Sequence, residues 1–291
     1  MNEFRTSCPY QYGIITVKKY GNSYKITYHN VLKESGWEKE DIEDSSDSPE
    51  ASPLDDFKLC DNFKLLNNIS RAKNTIFELA KCNDWDFFVT LTIDKSKHDR
   101  FNLQEFRVAF SRMVRGLRRK YGSKIAYLLV PEKHKNGAWH FHGFISGLPD
   151  HELKSFKLCD KLPSYIRQKV MLNQGIYSWI SYAEKFGFCD LEEIQDKSKV
   201  CSYVTKYITK ALVHSVEGYY ENLYYCSQGL KRAEQLGKFY PLEDVETFVP
   251  WQFENYFCKI LWVPDLPEHI KKRLECSGEG VTEAAAVQER N

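Results

Sequence analysis

The chain has 291 residues, enough for one large domain or two small ones with a sizeable core, and aromatic residues make up 14% of it. No apolar run approaches a membrane span, the N-terminus lacks a signal-peptide pattern, and the 9 cysteines contain no CxxC pair, which argues against a zinc ribbon or a disulfide framework. The formal net charge is +1, but it is unevenly spread: residues 37–61 carry 10 acids and 2 bases, whereas residues 62–215 carry 26 Lys and Arg against 15 Asp and Glu. A basic central region behind an acidic segment suggests a polyanionic partner, with nucleic acid foremost. These features fit a protein of a reducing cytoplasm with no membrane association.

In chain order, residues 11–30 alternate and turn at Gly21-Asn22, as a β-hairpin does. Residues 38–56 are acidic and rich in Ser and Pro, as in a linker. A helix is expected over about 61–81, with Leu65, Ile69, Ala72, Ile76, Leu79 and Ala80 as its apolar stripe. In "DWDFFVTLTID", residues 84–94, Phe87, Val89, Leu91 and Ile93 fall on one strand face. Phe88, Thr90, Thr92 and Asp94 fall on the other, which is unusually polar. Residues 102–121 read as a helix with the stripe Leu103, Phe106, Phe110, Met113, Val114 and Leu117. Its C-terminal half carries Arg112, Arg115, Arg118, Arg119 and Lys120, followed by Lys124. These cations suit both the helix dipole and phosphate binding. Strands are expected at 124–131, 138–146, near 186–191, at 221–226 and at 247–262. A helix is expected over 197–213, and a small, polar tail from Ser277.

The stretch "GAWHFHGFI", residues 137–145, sets His140 and His142 on the same face of a strand, with Trp139, Phe141 and Ile145 on the other. Two imidazoles on one face can ligate one metal ion. A two-residue Asn136-Gly137 turn would pair Lys133 with His140. A three-residue loop, Lys135-Asn136-Gly137, with Gly137 in the left-handed conformation, pairs Glu132 with His140 instead and brings Glu132, His134, His140 and His142 to one face. Two nitrogens and one carboxylate oxygen make an open site suited to Mg²⁺ or Mn²⁺. Farther along, "YVTKYITK" places Tyr203 and Tyr207 four residues apart on a helix, each with a lysine, Lys206 or Lys210, three residues later.

The order "FFVTLTID", "PEKHKNGAWHFHGF", "YVTKYITK" resembles the HUH endonucleases, and more closely the rolling-circle replication initiator (Rep) proteins of bacterial plasmids, phages and prophage-like elements. The resemblance covers roughly residues 62–232. It implies an α+β fold, a central antiparallel sheet of RRM-like type with helices packed on one face. It also implies a reaction in which Tyr203 or Tyr207 attacks a phosphodiester of single-stranded origin DNA, leaving a 5′-phosphotyrosine link and a free 3′-OH. Lys206 and Lys210 would assist, a metal on Glu132, His140 and His142 would orient the phosphate, and Thr90, Thr92, Arg112, Arg115, Arg119 and Lys124 would contact DNA. The partners implied are a host helicase, since no G-x-x-x-x-G-K-[ST] motif is present, and a DNA polymerase, in the cytoplasm of a bacterial host. A relaxase, a single-strand transposase, a catalytically silent single-strand-binding module and a generic metallohydrolase are the competing readings. The expected layout is an N-terminal hairpin flank (1–36), an acidic linker (37–61), the endonuclease domain (62–235), a C-terminal extension (236–276) and a disordered tail (277–291).

Overall fold

The computed structural model describes residues 10–11, 13–29, 32–33, 53–196, 222–239, 250–255 and 258–275. The chain divides into two compact units, residues 51–231 and residues 1–50 with 232–291.

The first unit is built on a seven-stranded sheet. Its strands are β5 (Phe87–Thr92), β6 (Ala126–Lys133), β7 (Trp139–Ser146), β8 (Leu153–Ser155), β9 (Ile176–Trp179), β10 (Cys189–Glu193) and β11 (Tyr225–Cys226), in the order β11-β6-β7-β5-β10-β9-β8. All neighbours are antiparallel. The unit also holds helices α1 (Pro53–Cys82), α2 (Leu103–Tyr121), α3 (Ser164–Met171) and α4 (Ile180–Lys185). Alternation along each strand sends one set of side chains to each face. Phe87, Val89 and Leu91 of β5 and Trp139, Phe141 and Ile145 of β7 form a core with Phe106, Phe110, Met113, Val114 and Leu117 of α2 and Tyr182 of α4. The sequence stripe of α2 is thus its buried face. The Asn102 side chain caps the helix by accepting from the Glu105 N–H, and Gly122, at φ 64°, closes it in the left-handed conformation.

The opposite face carries a second core. Phe88, Leu128, Val130 and Phe144 pack under Ile69, Ala72, Ile76, Leu79 and Ala80 of α1, with Trp85 beside them. The α+β class expected from the sequence is found, with helices on both faces of the sheet rather than on one. Helix α1 begins at Pro53, so residues 53–61 are helical where the composition suggests linker. A proline is tolerated in the first turn because its missing N–H has no intrahelical acceptor. Gly143 is needed where β7 crosses β6, because an added Cβ would sit 1.9 Å from the Leu128 carbonyl oxygen.

The second unit joins both ends of the chain. The predicted hairpin is β2 (Ile14–Tyr20) with β3 (Ser23–His29). It is flanked by β12 (Glu234–Phe239), β14 (Cys258–Val263) and β13 (Phe253–Glu254), in the order β12-β2-β3-β14-β13. β1 (Tyr10–Gln11) and β4 (Leu32–Lys33) form a separate two-stranded ladder. Ile15, Val17, Ile26, Phe239, Leu261 and Ile270, the last on a helix at 268–275, make the core of this unit. The β2–β3 hairpin of the N-terminal flank therefore shares one sheet with β12, β14 and β13 from near the other end of the sequence. The tail from Ser277 lies outside the described residues. No helix among the described residues is long and apolar enough to cross a membrane.

Candidate active site

The β6–β7 connection decides the geometry. The His134 N–H donates to the Ala138 carbonyl (2.9 Å) and the Gly137 N–H to the His134 carbonyl (2.8 Å), with Gly137 at φ 81°. This is the three-residue loop, and Glu132 pairs with His140. Successive cross-strand rows on the face away from α2 then follow from the register. One row runs Glu132, His140, Thr92. The next runs Val130, His142, Thr90, Asp190, and the third Leu128, Phe144, Phe88, Glu192. In the third row Leu128, Phe144 and Phe88 lie in the apolar core under α1, while the first two rows carry Glu132, both histidines, both threonines and Asp190.

The threonines orient the imidazoles. Thr92 Oγ1 lies 3.3 Å from His140 Nδ1, and Thr90 Oγ1 lies 3.5 Å from His142 Nδ1. His142 Nε2 is 2.8 Å from Glu132 Oε2. A carboxylate only accepts, so Nε2 carries the proton in this arrangement. His142 also stacks on Phe88, with centroids 6.4 Å apart and planes 14° apart. The His140 ring stacks on His134 at 3.7 Å. Burial pushes the pKa of His140 down to about 4, helped by the neighbouring His134 and His142, so it is neutral at physiological pH.

Three residues of this face were not singled out from the sequence. Asp190 is only 5% exposed and accepts a hydrogen bond from the Tyr165 hydroxyl of α3 (2.9 Å). Burial pushes its carboxyl up, against the opposing effects of the Tyr165 hydrogen bond, Lys169 and His142. Phe188 precedes β10, and its carbonyl accepts from the Thr92 N–H (2.9 Å). It is 39% exposed, and Tyr165 is 46% exposed, so large rings stand in solvent close to the polar rows. Their signal in sequence is weak, because it depends on β10 lying next to β5.

Among the described residues, no three His, Cys, Asp or Glu side chains are gathered closely enough to hold a metal ion in this conformation. The donor set nevertheless has the right chemistry. Two ligands at about 2.1 Å on adjacent corners of an octahedron stand about 3 Å apart, close to the 2.8 Å between Glu132 Oε2 and His142 Nε2. With each Nδ1 facing a threonine, each Nε2 is the nitrogen offered outward.

The remaining expected residues fall elsewhere. Arg112, Arg115 and Arg119 are exposed on α2, and exposed Lys124 follows that helix. Helix α2 covers the sheet face opposite the histidines. Arg118 is structural: its Nε–H donates to the Ile125 carbonyl at 2.8 Å and its Nη2 to Ser227 Oγ at 2.9 Å. Tyr203, Lys206, Tyr207 and Lys210 lie outside the described residues.

Residues 86–212 match a family model of replication-associated proteins of the ORF2 type. The match supports a replication initiator of the Rep type and a role in DNA replication. It begins one residue before β5 and takes in Thr90, Thr92, α2, Glu132, both histidines, Asp190 and the Tyr203–Lys210 segment. No curated protein and no solved structure gives a significant match to the chain. The Rep match thus covers the seven-stranded sheet's site-bearing strands and leaves the second unit outside it.

Proposed function

We propose that the protein is a rolling-circle replication initiator that nicks single-stranded origin DNA by tyrosine transesterification and later rejoins the strands. The observation that carries this reading is the row register, which sets Glu132, His140 and His142 on one sheet face with a threonine behind each imidazole. Glu132 Oε2 and the two Nε2 atoms would hold Mg²⁺ or Mn²⁺. When bound, that ion supplies positive charge to the scissile phosphate. Thr90 and Thr92 would orient the imidazoles, each hydroxyl accepting from an Nδ1–H in the tautomer that leaves Nε2 unprotonated and free for the ion.

Tyr203 or Tyr207 supplies the nucleophile. Its phenolic oxygen forms a bond to phosphorus as the bond to the 3′ oxygen breaks, the phenol proton passes to solvent, and the leaving 3′ oxygen takes a proton from solvent to become a hydroxyl. Lys206 and Lys210 stabilise the developing negative charge. One phosphoester replaces another, so no ATP is required, and the free 3′-OH primes a host polymerase while a host helicase opens the duplex. Two tyrosines four residues apart on a helix would stand about 6 Å apart at Cβ, so that one could hold the parental 5′ end while the other attacks the regenerated origin.

The test is incubation with single-stranded oligonucleotides from the encoding element and Mn²⁺, resolved on denaturing gels, with peptide mapping of the covalent adduct. Tyr203→Phe and Tyr207→Phe should each impair the full cycle, and the double substitution should leave no adduct. DNA attached to another residue, or an adduct persisting in the double variant, would refute the assignment.

A further inference from the structure

The outer surface of α2 is chemically unlike the histidine face. Between Phe106 and Tyr121 it carries six cations and no carboxylate. The helix dipole accounts for cations only in the last turn, where Arg118, Arg119 and Lys120 lie. Arg112 and Arg115 are too far from the C-terminus for that explanation. Arg118 is engaged with Ile125 and Ser227, whereas Arg112, Arg115 and Arg119 are exposed. Among the described residues, none of those three forms an ion pair. The four arginines line a common depression.

Gly116 is the second observation. It sits mid-helix between Arg112, Arg115 and Arg119, where glycine is destabilising relative to alanine. An added Cβ would meet no atom within 4 Å, so packing inside the protein does not demand it. A bare helix backbone ringed by guanidinium groups allows the close approach of a phosphate chain. The third observation is what the surface lacks. No large hydrophobic side chain is exposed on α2, whereas Tyr165 and Phe188 are exposed beside the histidine rows. Single strands are held by stacking on aromatic rings, duplexes by backbone charge. Arg112 and Arg119 are about 10 Å apart along the axis, close to the roughly 12 Å width of a B-form major groove.

We propose that the surface of α2 around Gly116, bearing Arg112, Arg115 and Arg119, docks the phosphate backbone of double-stranded DNA on the sheet face opposite the histidines. The inference rests on the reading above only in taking DNA as the ligand. Single strand and flanking duplex would then occupy opposite faces of one sheet.

The experiment is fluorescence anisotropy in chelator, where no cleavage occurs, with the full chain and a short labelled blunt duplex, alongside one of its single strands. Arg112→Glu/Arg115→Glu/Arg119→Glu should weaken duplex binding at least about 100-fold and make its salt slope shallower by about 2 to 3, with a clearly smaller loss on the single strand. Gly116→Gln keeps every charge and should raise the melting temperature while weakening duplex binding about 10-fold. Equal losses on both probes, or unchanged duplex affinity in either variant, would overturn the proposal. Nicking is not read in this assay, so a protein that forms no tyrosine adduct can still pass it, and one that nicks can still fail it.

Discussion

Two ends of one sheet face do opposite work. Strands β5, β6 and β7 run through both ends with the same antiparallel pairing. At one end the outward row is Leu128, Phe144 and Phe88, closed by α1. One row on, at His142 and Thr90, and two rows on, at His140 and Thr92, the same backbone presents polar groups. The apolar end removes side chains from water and gains stability. The polar end keeps imidazoles, hydroxyls and carboxylates where an apolar residue would pack, and the stability forgone there leaves donors arranged for chemistry. On the proposed reading, the site sits where the hydrophobic pattern of the strand breaks off, two residues from where it holds.

The largest expected effect on stability comes from the apolar end. Phe144 is 1% exposed and packs on both Trp85 and Phe88. Phe144→Ala should cost about 3–5 kcal/mol, measured by denaturant unfolding. A cost under about 1 kcal/mol would show that α1 is not what closes this end. His142→Ala, one row away, should cost only about 1–2 kcal/mol, because it leaves Glu132 without its 2.8 Å partner at a site still open to water. Its effect on activity should be the reverse of modest, with nicking abolished in a folded protein, and the same is expected for His140→Ala. Full nicking by both variants in chelator would remove the metal from the mechanism.

How much of this was legible follows from how local each signal is. The two faces of residues 87–94 were readable because strand alternation is encoded residue by residue, and the stripe of α2 for the same reason. The Glu132–His140 pairing was readable because a three-residue loop with glycine at the left-handed position fixes the register of its own hairpin. Asp190, Tyr165 and Phe188 were not, since their place depends on β10 docking beside β5 across nearly a hundred residues of chain. The union of residues 14–29 with β12 and β14 was hidden for the same reason. Charge chemistry alone groups the arginines of α2 with Thr90 and Thr92. The apolar stripe of α2 must face the apolar side of β5, and that places its arginines on the sheet face away from the threonines.

The smallest expected effect sharpens the contrast most finely. Asp190 is a buried carboxyl in the same row as His142 and Thr90, and burial holds its pKa above the ordinary value of 3.8. A group whose folded-state pKa is raised favours the folded state most when protonated. That contribution is complete below the unfolded value and is lost as pH rises through the folded one. At neutral pH the buried Asp190 carboxyl therefore costs stability. Asp190→Asn keeps an acceptor for the Tyr165 hydroxyl and removes the charge. It should stabilise the protein at pH 7, with the advantage shrinking to nothing as pH falls toward about 4. Paired thermal melts of the wild type and the variant across that range are the measurement. An advantage that does not change with pH would assign the effect to packing, and a variant less stable than wild type at pH 7 would mean that the ionised carboxylate holds the row together. The first result would leave the polar end costly for a reason other than charge. The second would make the two ends of the sheet face alike, both of them built for stability.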